Sequence, residues 1–170
     1  MKLEDAIRSI PDFPKAGILF RDITTLLNNK WAYKKAINEL AKLLEDKDIE
    51  FIVAAESRGF IFGGALAYKL GCGFVPVRKP GKLPSKTFQH TYELEYGKDS
   101  VEIHCDAFPP RARVLIVDDL LATGGTAKAM VNLVKKLKGS IVGVAFLIEL
   151  TALGGRKSLK GYPVYSLIKY

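Results

Sequence analysis

Cysteine is scarce in this chain of 170 residues. Cys72 and Cys105 lie far apart and match neither a metal-binding nor a redox spacing. Reduced thiols in a cytosol are the simplest reading. Long apolar runs are missing as well, and none approaches the roughly 20 residues of a membrane span. The N-terminal MKLEDAIRSI mixes acids with apolar residues, which excludes a secretory signal. A cytoplasmic protein with no membrane partner is expected. The two histidines, His90 and His104, match no ligand spacing and read as surface or packing residues. There is no internal repeat, no linker rich in Gly, Pro or Ser, and no low-complexity basic tail. Neither GxxxxGK[ST] nor GxGxxG occurs, which excludes the nucleotide-hydrolase P-loop and the dinucleotide fingerprint.

Acids are the minority charge: 18 Asp and Glu against 26 Lys and Arg, a formal net charge of +8. Such an excess suits nucleic acid, an acidic membrane or a polyphosphate substrate. The lysines are spread along the chain, so a solvated surface accounts for much of it. Hydrophobic residues make up 48%, enough for one domain with a real core.

What is present alternates. Leu3 to Ile10 is a short amphipathic helix candidate, and the chain to about Asn29 is otherwise irregular, because Pro11, Pro14 and Gly17 forbid a long helix. Trp31 to Glu45 carries Ala36, Ile37, Leu40, Ala41 and Leu44 at helical spacing. Short apolar runs at Phe51–Ala55, Gly73–Val77, Val114–Val117, Ile141–Leu150 and Val164–Ile168 read as strands. Phe60–Leu70 and Gly125–Leu137 read as helices between them. Apolar strands alternating with helices imply an α/β fold, a mostly parallel central sheet flanked by helices. Right-handed crossovers then gather the strand-to-helix loops at one edge. Between Arg78 and Arg113 the alternation breaks. Two candidate strands surround a Tyr96-Gly97-Lys98-Asp99 turn, and the segment reads as a mobile lid over a site.

The chemistry concentrates in VLIVDDLLATGGT. Asp118 and Asp119 stand where an apolar strand ends, the edge at which open parallel sheets bind ligands. Thr123-Gly124-Gly125-Thr126 then opens a helix. Its first N–H groups have no intrahelical partner, and glycine lets an anion approach them closely. Carboxylates repel phosphate but accept hydrogen bonds from vicinal hydroxyls. A ribose phosphate satisfies both halves: hydroxyls at Asp118 and Asp119, the 5-phosphate in the turn.

This segment resembles the phosphoribosyl pyrophosphate signature of the type I phosphoribosyltransferases. FPKAGILFRDIT, AAESRGFIFG, VRKPGKLP, YELEYGKDSVEIH and LIELTALGGRKSL extend the likeness in order over nearly the whole chain, and specifically to members that act on adenine. Ser85, where the family often has Gly, and the Thr87–Thr91 stretch depart from it. The resemblance implies a single domain, 1–170. Residues 1–29 would form a small N-terminal hood for base recognition, and 79–105 a flexible β-hairpin lid. It implies transfer of the phosphoribosyl group from phosphoribosyl pyrophosphate to adenine, giving AMP and pyrophosphate, with Mg²⁺ carried by the substrate and not bound directly by protein.

Ala122 to Thr126 would bind the 5-phosphate. Glu56, Ser57 and Arg58 would form the pyrophosphate loop, which often holds a cis peptide in this family, and Arg78 and Lys79 would lie near the same group. Glu95 would handle the proton of the base, with Tyr96 beside it in the lid. The main chain near Leu19 and Arg21, with Phe20 nearby and Leu150 against the ring, would read adenine. Family members are usually homodimers. Two alternatives remain open on the residues alone. One is a relative acting on guanine, xanthine or orotate. The other is a non-catalytic, phosphoribosyl-pyrophosphate-sensing regulator of a nucleic-acid partner, although no helix-turn-helix segment is visible and no nucleic acid is expected. A sugar-phosphate synthetase subunit is disfavoured by the missing nucleotide site and the short chain.

Overall fold

The computed structural model describes residues 2–94 and 97–170. It divides into two compact units, Met1–Glu39 and Leu40–Tyr170.

In the first unit, a 3₁₀ turn at Glu4–Ala6 leads into β1 (Arg8–Ile10), which pairs antiparallel with β2 (Phe20–Asp22). The helix expected over Leu3–Ile10 is thus confined to one turn. Ile10 precedes Pro11, which disfavours helical backbone there, and residues 8–10 find strand partners in residues 20–22. Asp22 ends β2 and accepts hydrogen bonds from the Thr24 backbone N–H (2.9 Å), the Thr24 hydroxyl (2.7 Å) and Arg8 Nε (3.0 Å). These bonds, the Thr24 hydroxyl foremost, hold its carboxyl down at about 2. The short helix α1 (Thr24–Asn28) follows. Asn29 then caps α2 (Lys30–Leu44), its Oδ1 accepting from the N–H groups of Trp31 and Ala32 at 3.1 Å each. The residues expected to form the buried stripe of α2, Ala36, Ile37, Leu40, Ala41 and Leu44, are all buried.

The second unit is built on a five-stranded sheet in the order β4-β3-β7-β8-β9, parallel throughout. The strands are β3 (Phe51–Ala55), β4 (Gly73–Val77), β7 (Arg113–Leu121), β8 (Ser140–Glu149) and β9 (Val164–Lys169). Helix α3 (Arg58–Leu70) crosses from β3 to β4, and α4 (Gly125–Lys136) from β7 to β8. Between β4 and β7 stands an antiparallel pair, β5 (Thr87–Leu94) and β6 (Gly97–His104). Side chains alternate across the sheet. Val53, Ala55, Val75, Val77, Val114, Ile116, Val144 and Phe146 form one buried cluster with Met130, Val131, Leu133 and Val134 of α4 and Val101 and Ile103 of β6. On the opposite face α3 lies close enough that Gly63 sits against Ala54 and Ile52. The start of β7 is fastened beside β3: the Arg113 N–H donates to Glu50 Oε2 (2.8 Å), and its guanidinium donates to the carbonyls of Lys47 and Asp48.

Two boundaries differ from expectation. Gly97, Lys98 and Asp99, expected in a turn, are paired in β6 with Leu94, Glu93 and Tyr92. The third core strand runs on to Leu121, so Asp118 and Asp119 lie inside it and not at its end. Its pairing with β3 stops at Val117, while its pairing with β8 continues to Leu121. Asp118 and Asp119 therefore stand on a ledge left by the earlier end of β3. No helix of the described residues is long and apolar enough to cross a membrane.

Candidate active site

Where β3 stops, the chain turns through Glu56 and Ser57, joined by a cis peptide bond, and Arg58 begins α3. Arg58 Nε lies 2.8 Å from Asp119 Oδ2, so this arginine spans to β7. Glu56 serves the neighbouring strand. Its Oε1 accepts from the Lys79 backbone N–H at 2.7 Å and lies 3.3 Å from Arg78 Nε. That N–H of Lys79, then Arg78, holds the Glu56 carboxyl below its usual range.

These residues border a cleft of about 440 Å³, lined by Ala55, Glu56, Ser57, Arg58, Val77, Lys79, Tyr92, Asp99, Val101, Asp118, Asp119 and Thr126. A second cavity of about 230 Å³ shares Arg58, Tyr92, Asp118, Asp119 and Thr126 with it and continues along Leu120 to Ala127. Seven expected site residues thus meet in the first cavity, and the whole Ala122–Thr126 turn in the second. Arg78 lines neither cavity, and its Nε lies 3.3 Å from Glu56 Oε1.

Asp119 is buried, and Asp118 is half-buried with its Oδ1 accepting from the Asp119 N–H at 2.9 Å. Burial first, then the charge of Asp119, pushes the Asp118 carboxyl well above the usual carboxylate range. Two adjacent carboxyls, one braced by arginine and the other half-buried at the cleft, present acceptor oxygens of the kind that hydroxyl donors can meet.

The Thr123–Thr126 turn is backed by Gly155 and Ser158. Gly124 has φ +90°, and a Cβ there would meet the Gly155 carbonyl at 2.7 Å and Ser158 Cβ at 3.0 Å. Ser158 Oγ donates to the Thr123 carbonyl at 3.1 Å. The supporting segment is clamped by Arg156, whose Nε and Nη2 donate to Glu149 Oε1 and Oε2 at 2.7 and 2.8 Å, while Ser166 Oγ donates to Glu149 Oε2 at 2.6 Å. Arg156, then Ser166, keeps the Glu149 carboxyl below its ordinary 4.5.

Glu149→Gln is expected to cost about 1–2 kcal/mol at pH 7. That is below the 3–5 of a fully buried pair, because Arg156 is 42% exposed. A carboxyl whose value is lowered by folding stabilises the fold fully above about 4.5 and loses that contribution as pH falls through the folded value. Thermal melts of variant and wild type should therefore converge between pH 7 and pH 3.

Leu150 follows the clamp, half-buried, its N–H donating to the Leu121 carbonyl at 2.9 Å, and it lines neither cavity. In the first unit, Phe20 stacks edge-on against Phe13 (5.1 Å between centroids), Arg21 Nη1 donates to Ser9 Oγ (2.6 Å), and Leu19 is 50% exposed. Glu95 and Tyr96 lie outside the described residues. Two polar lining residues escaped sequence reasoning: Tyr92 and Asp99. Tyr92 donates to Asp99 Oδ2 at 3.2 Å and lies 3.2 Å from Thr126 Oγ1, and Asp99 Oδ2 also pairs with Lys79. The period-2 alternation of the hairpin was the available signal, since residues 88, 90 and 92 share a face.

An acid pair braced by arginine, a helix start and the cationic strand end at Lys79 border these two cavities. Residues 22–168 match the phosphoribosyl transferase domain family. The chain is 60% identical to the adenine phosphoribosyltransferase of Brachyspira hyodysenteriae over 170 residues, all of both chains. It is 57% identical to that of Thermotoga maritima, over all of this chain and 98% of the relative. The crystal structure of adenine phosphoribosyltransferase from Thermoanaerobacter pseudethanolicus superposes with a TM-score of 0.96 at 56% identity, covering 99% of this chain and 98% of that one. The Saccharomyces cerevisiae enzyme, crystallised with an imino-altritol bisphosphate and adenine, gives 0.91 at 44% identity over 96% and 95%. The chain belongs to the phosphoribosyl transferase family, in its adenine phosphoribosyltransferase branch.

Proposed function

We propose that this chain transfers the 5-phosphoribosyl group of phosphoribosyl pyrophosphate to adenine, forming AMP and pyrophosphate, as a step of purine salvage. The observation that carries this reading is the meeting of Asp118, Asp119, Arg58 and Thr126 in both connected cavities. In the reaction, a ring nitrogen of adenine bonds to the anomeric carbon and the carbon–oxygen bond to pyrophosphate breaks. The leaving oxygen takes the electron pair, and the surplus proton leaves the imidazole ring. Positive charge grows on the ribose and negative charge on the pyrophosphate.

Asp118 and Asp119 hold the ribose hydroxyls and stabilise its developing charge. The main chain of Ala122–Thr126 and the threonine hydroxyls hold the 5-phosphate. Glu56 and Ser57 shape the loop from which Arg58, with Lys79 and the nearby Arg78, stabilises the leaving pyrophosphate. Reading the base is assigned to Leu19, Phe20, Arg21 and Leu150.

The donors in the cleft suit Mg²⁺, a hard cation that prefers substrate phosphate oxygens with few carboxylates. Asp118 and Asp119 are the carboxylates next to the ribose and pyrophosphate positions, and Asp119 is already engaged by Arg58. Bound with the substrate, Mg²⁺ would supply charge neutralisation for the pyrophosphate. The same reading makes 1–170 one catalytic domain with residues 79–105 as its lid, acting in the cytoplasm as a homodimer.

Incubation with Mg²⁺, phosphoribosyl pyrophosphate and each nucleobase in turn tests the proposal. AMP and pyrophosphate from adenine alone is the expected result, and turnover of another base in preference would overturn it. Glu95 is assigned the proton of the base. Glu95→Gln is expected to reduce kcat roughly 10-fold, below the usual 10²–10⁴ of general acid–base groups, because water in an open cleft also accepts protons. Adenine binding should change less, and an unaltered kcat across pH would move the role elsewhere.

A further inference from the structure

One face of β5 lies along α4. The Lys136 ammonium sits 4.6 Å from the Phe88 ring, His90 Nε2 lies 3.1 Å from Asn132 Nδ2, and the Tyr92 hydroxyl lies 3.2 Å from Thr126 Oγ1. The Tyr92 ring also covers the helix start, where a Cβ on Gly125 would lie 3.5 Å from it. Three contacts in a row thus fasten the hairpin to α4, and the last is made by a threonine of the turn assigned to the 5-phosphate. Across the hairpin, Tyr92 is paired in register with Asp99, and Asp99 holds Lys79, the cation assigned to pyrophosphate.

Which atom donates follows from the inventory of protons. Burial pushes the Tyr92 phenol above its ordinary range, so it keeps its proton. Lys79, as the first cause, holds the Asp99 carboxyl below its ordinary range, so that group only accepts. Tyr92 therefore donates to Asp99, and the proton between Tyr92 and Thr126 comes from Thr126. A phosphate in the turn is an acceptor as well and draws the Thr126 proton to itself. Tyr92 must then either keep Asp99 or turn its proton to Thr126. Its bond to Asp99 is 3.2 Å long, well outside the roughly 2.5–2.7 Å of a strong O–H···O⁻ bond. Asp99 retains Lys79, and its Oδ1 retains the Ser100 N–H at 2.8 Å. The tyrosine proton is therefore the one to turn. A weak bond inside the hairpin is exchanged for a bond from the hairpin to α4, polarised by the dianion behind it.

Resting on the proposed 5-phosphate site, we infer that Tyr92 is a positioning residue through which the 5-phosphate of the substrate holds the lid hairpin against α4. The line of donors runs from Tyr92 to Thr126 to phosphate, and it tightens when the phosphate arrives. Pyrophosphate reaches the hairpin only through Lys79. That ammonium has three N–H donors and serves Asp99 and a phosphate oxygen together, so the hairpin contact there stays as it is. The lid thus answers to the group that phosphoribosyl pyrophosphate and AMP share, and it stays in place through the transfer step.

Hydrogen exchange of the full chain, followed by mass spectrometry over β5 and β6, tests this with saturating ribose 5-phosphate, with saturating pyrophosphate and with neither. In wild type, ribose 5-phosphate should slow exchange there about fivefold, the step from a neutral hydrogen bond to a charge-assisted one. Pyrophosphate should slow it less. In Tyr92→Phe the slowing by ribose 5-phosphate should vanish, and by linkage the affinity for that ligand should fall similarly while pyrophosphate keeps its own. Thr126→Ser retains the relaying hydroxyl and should retain the slowing, whereas Thr126→Val should lose it. Exchange in wild type that is unchanged or faster with ribose 5-phosphate bound, or equal slowing by pyrophosphate, would overturn the inference with the assigned function intact. Slowing that survives in Tyr92→Phe or in Thr126→Val would do the same. Wild type that binds neither ligand would bring down the assigned function and the inference together.

Discussion

Replacing Asp118 and Asp119 together by asparagine is expected to lower kcat on the order of 10²-fold or more while leaving the fold in place. Asparagine keeps the shape of each side chain and its acceptor oxygen but removes the charge that the proposed function sets against the ribose as it becomes cationic. The loss should therefore appear in kcat more than in KM for phosphoribosyl pyrophosphate. Stability should move the other way. The Asp118 carboxyl is pushed up by burial and by Asp119. A carboxyl that binds its proton more tightly in the folded chain than in the unfolded one weakens the fold as pH rises past its unfolded value. Removing both charges should leave the thermal midpoint at pH 7 equal to or above wild type, since the lost Arg58 partner is 45% exposed and the pair is well solvated on that side. Steady-state kinetics and a thermal melt check both halves. Wild-type-like turnover would refute the assigned role.

Gly124→Ala is expected to reduce kcat/KM roughly 10²-fold, the effect of displacing a positioned substrate by about 1 Å. Two independent causes act here. The φ of +90° is a conformation that residues with a Cβ rarely adopt. The new methyl would also lie 2.7 Å from the Gly155 carbonyl, a backbone atom in a segment pinned by the Glu149–Arg156 clamp. Neither side yields easily, so the Thr123–Thr126 turn must shift its N–H groups. Strain of this kind costs about 1–3 kcal/mol, measurable as a lowered melting temperature. Binding of ribose 5-phosphate, whose phosphate the proposed function assigns to this turn, should weaken far more than binding of pyrophosphate. Equal loss for both ligands would show that the damage is general and not confined to the phosphate turn.

Much of this site is legible in one stretch of chain because its logic is local. An apolar run, two acids and TGGT lie within thirteen residues, and strand, acids and helix start follow one another along the chain. The charged loop at Glu56–Arg58 is readable for the same reason, although the helix expected from Phe60 begins at Arg58. Where long-range pairing decides, local pattern misleads. Leu3–Ile10 has an amphipathic helical pattern, yet its second half is claimed by β2. Asp118 and Asp119 look terminal because their apolar run stops at Val117, yet β8 carries the strand on to Leu121.

The same division holds for the chemistry. The order of apolar runs and turn residues by itself determined the parallel α/β sheet, the edge that carries the site, and the acids and phosphate turn within it, because each depends on periodicity or on neighbours a few residues apart. Tertiary structure alone decided that Arg58 braces Asp119, that Gly155 lies against Gly124, and that Tyr92 and Asp99 reach Thr126 and Lys79. Those pairings join residues 20 to 61 positions apart along the chain. Pairing over such distances is set by strand register and helix packing, and no local pattern of residue types encodes which side chain will face which.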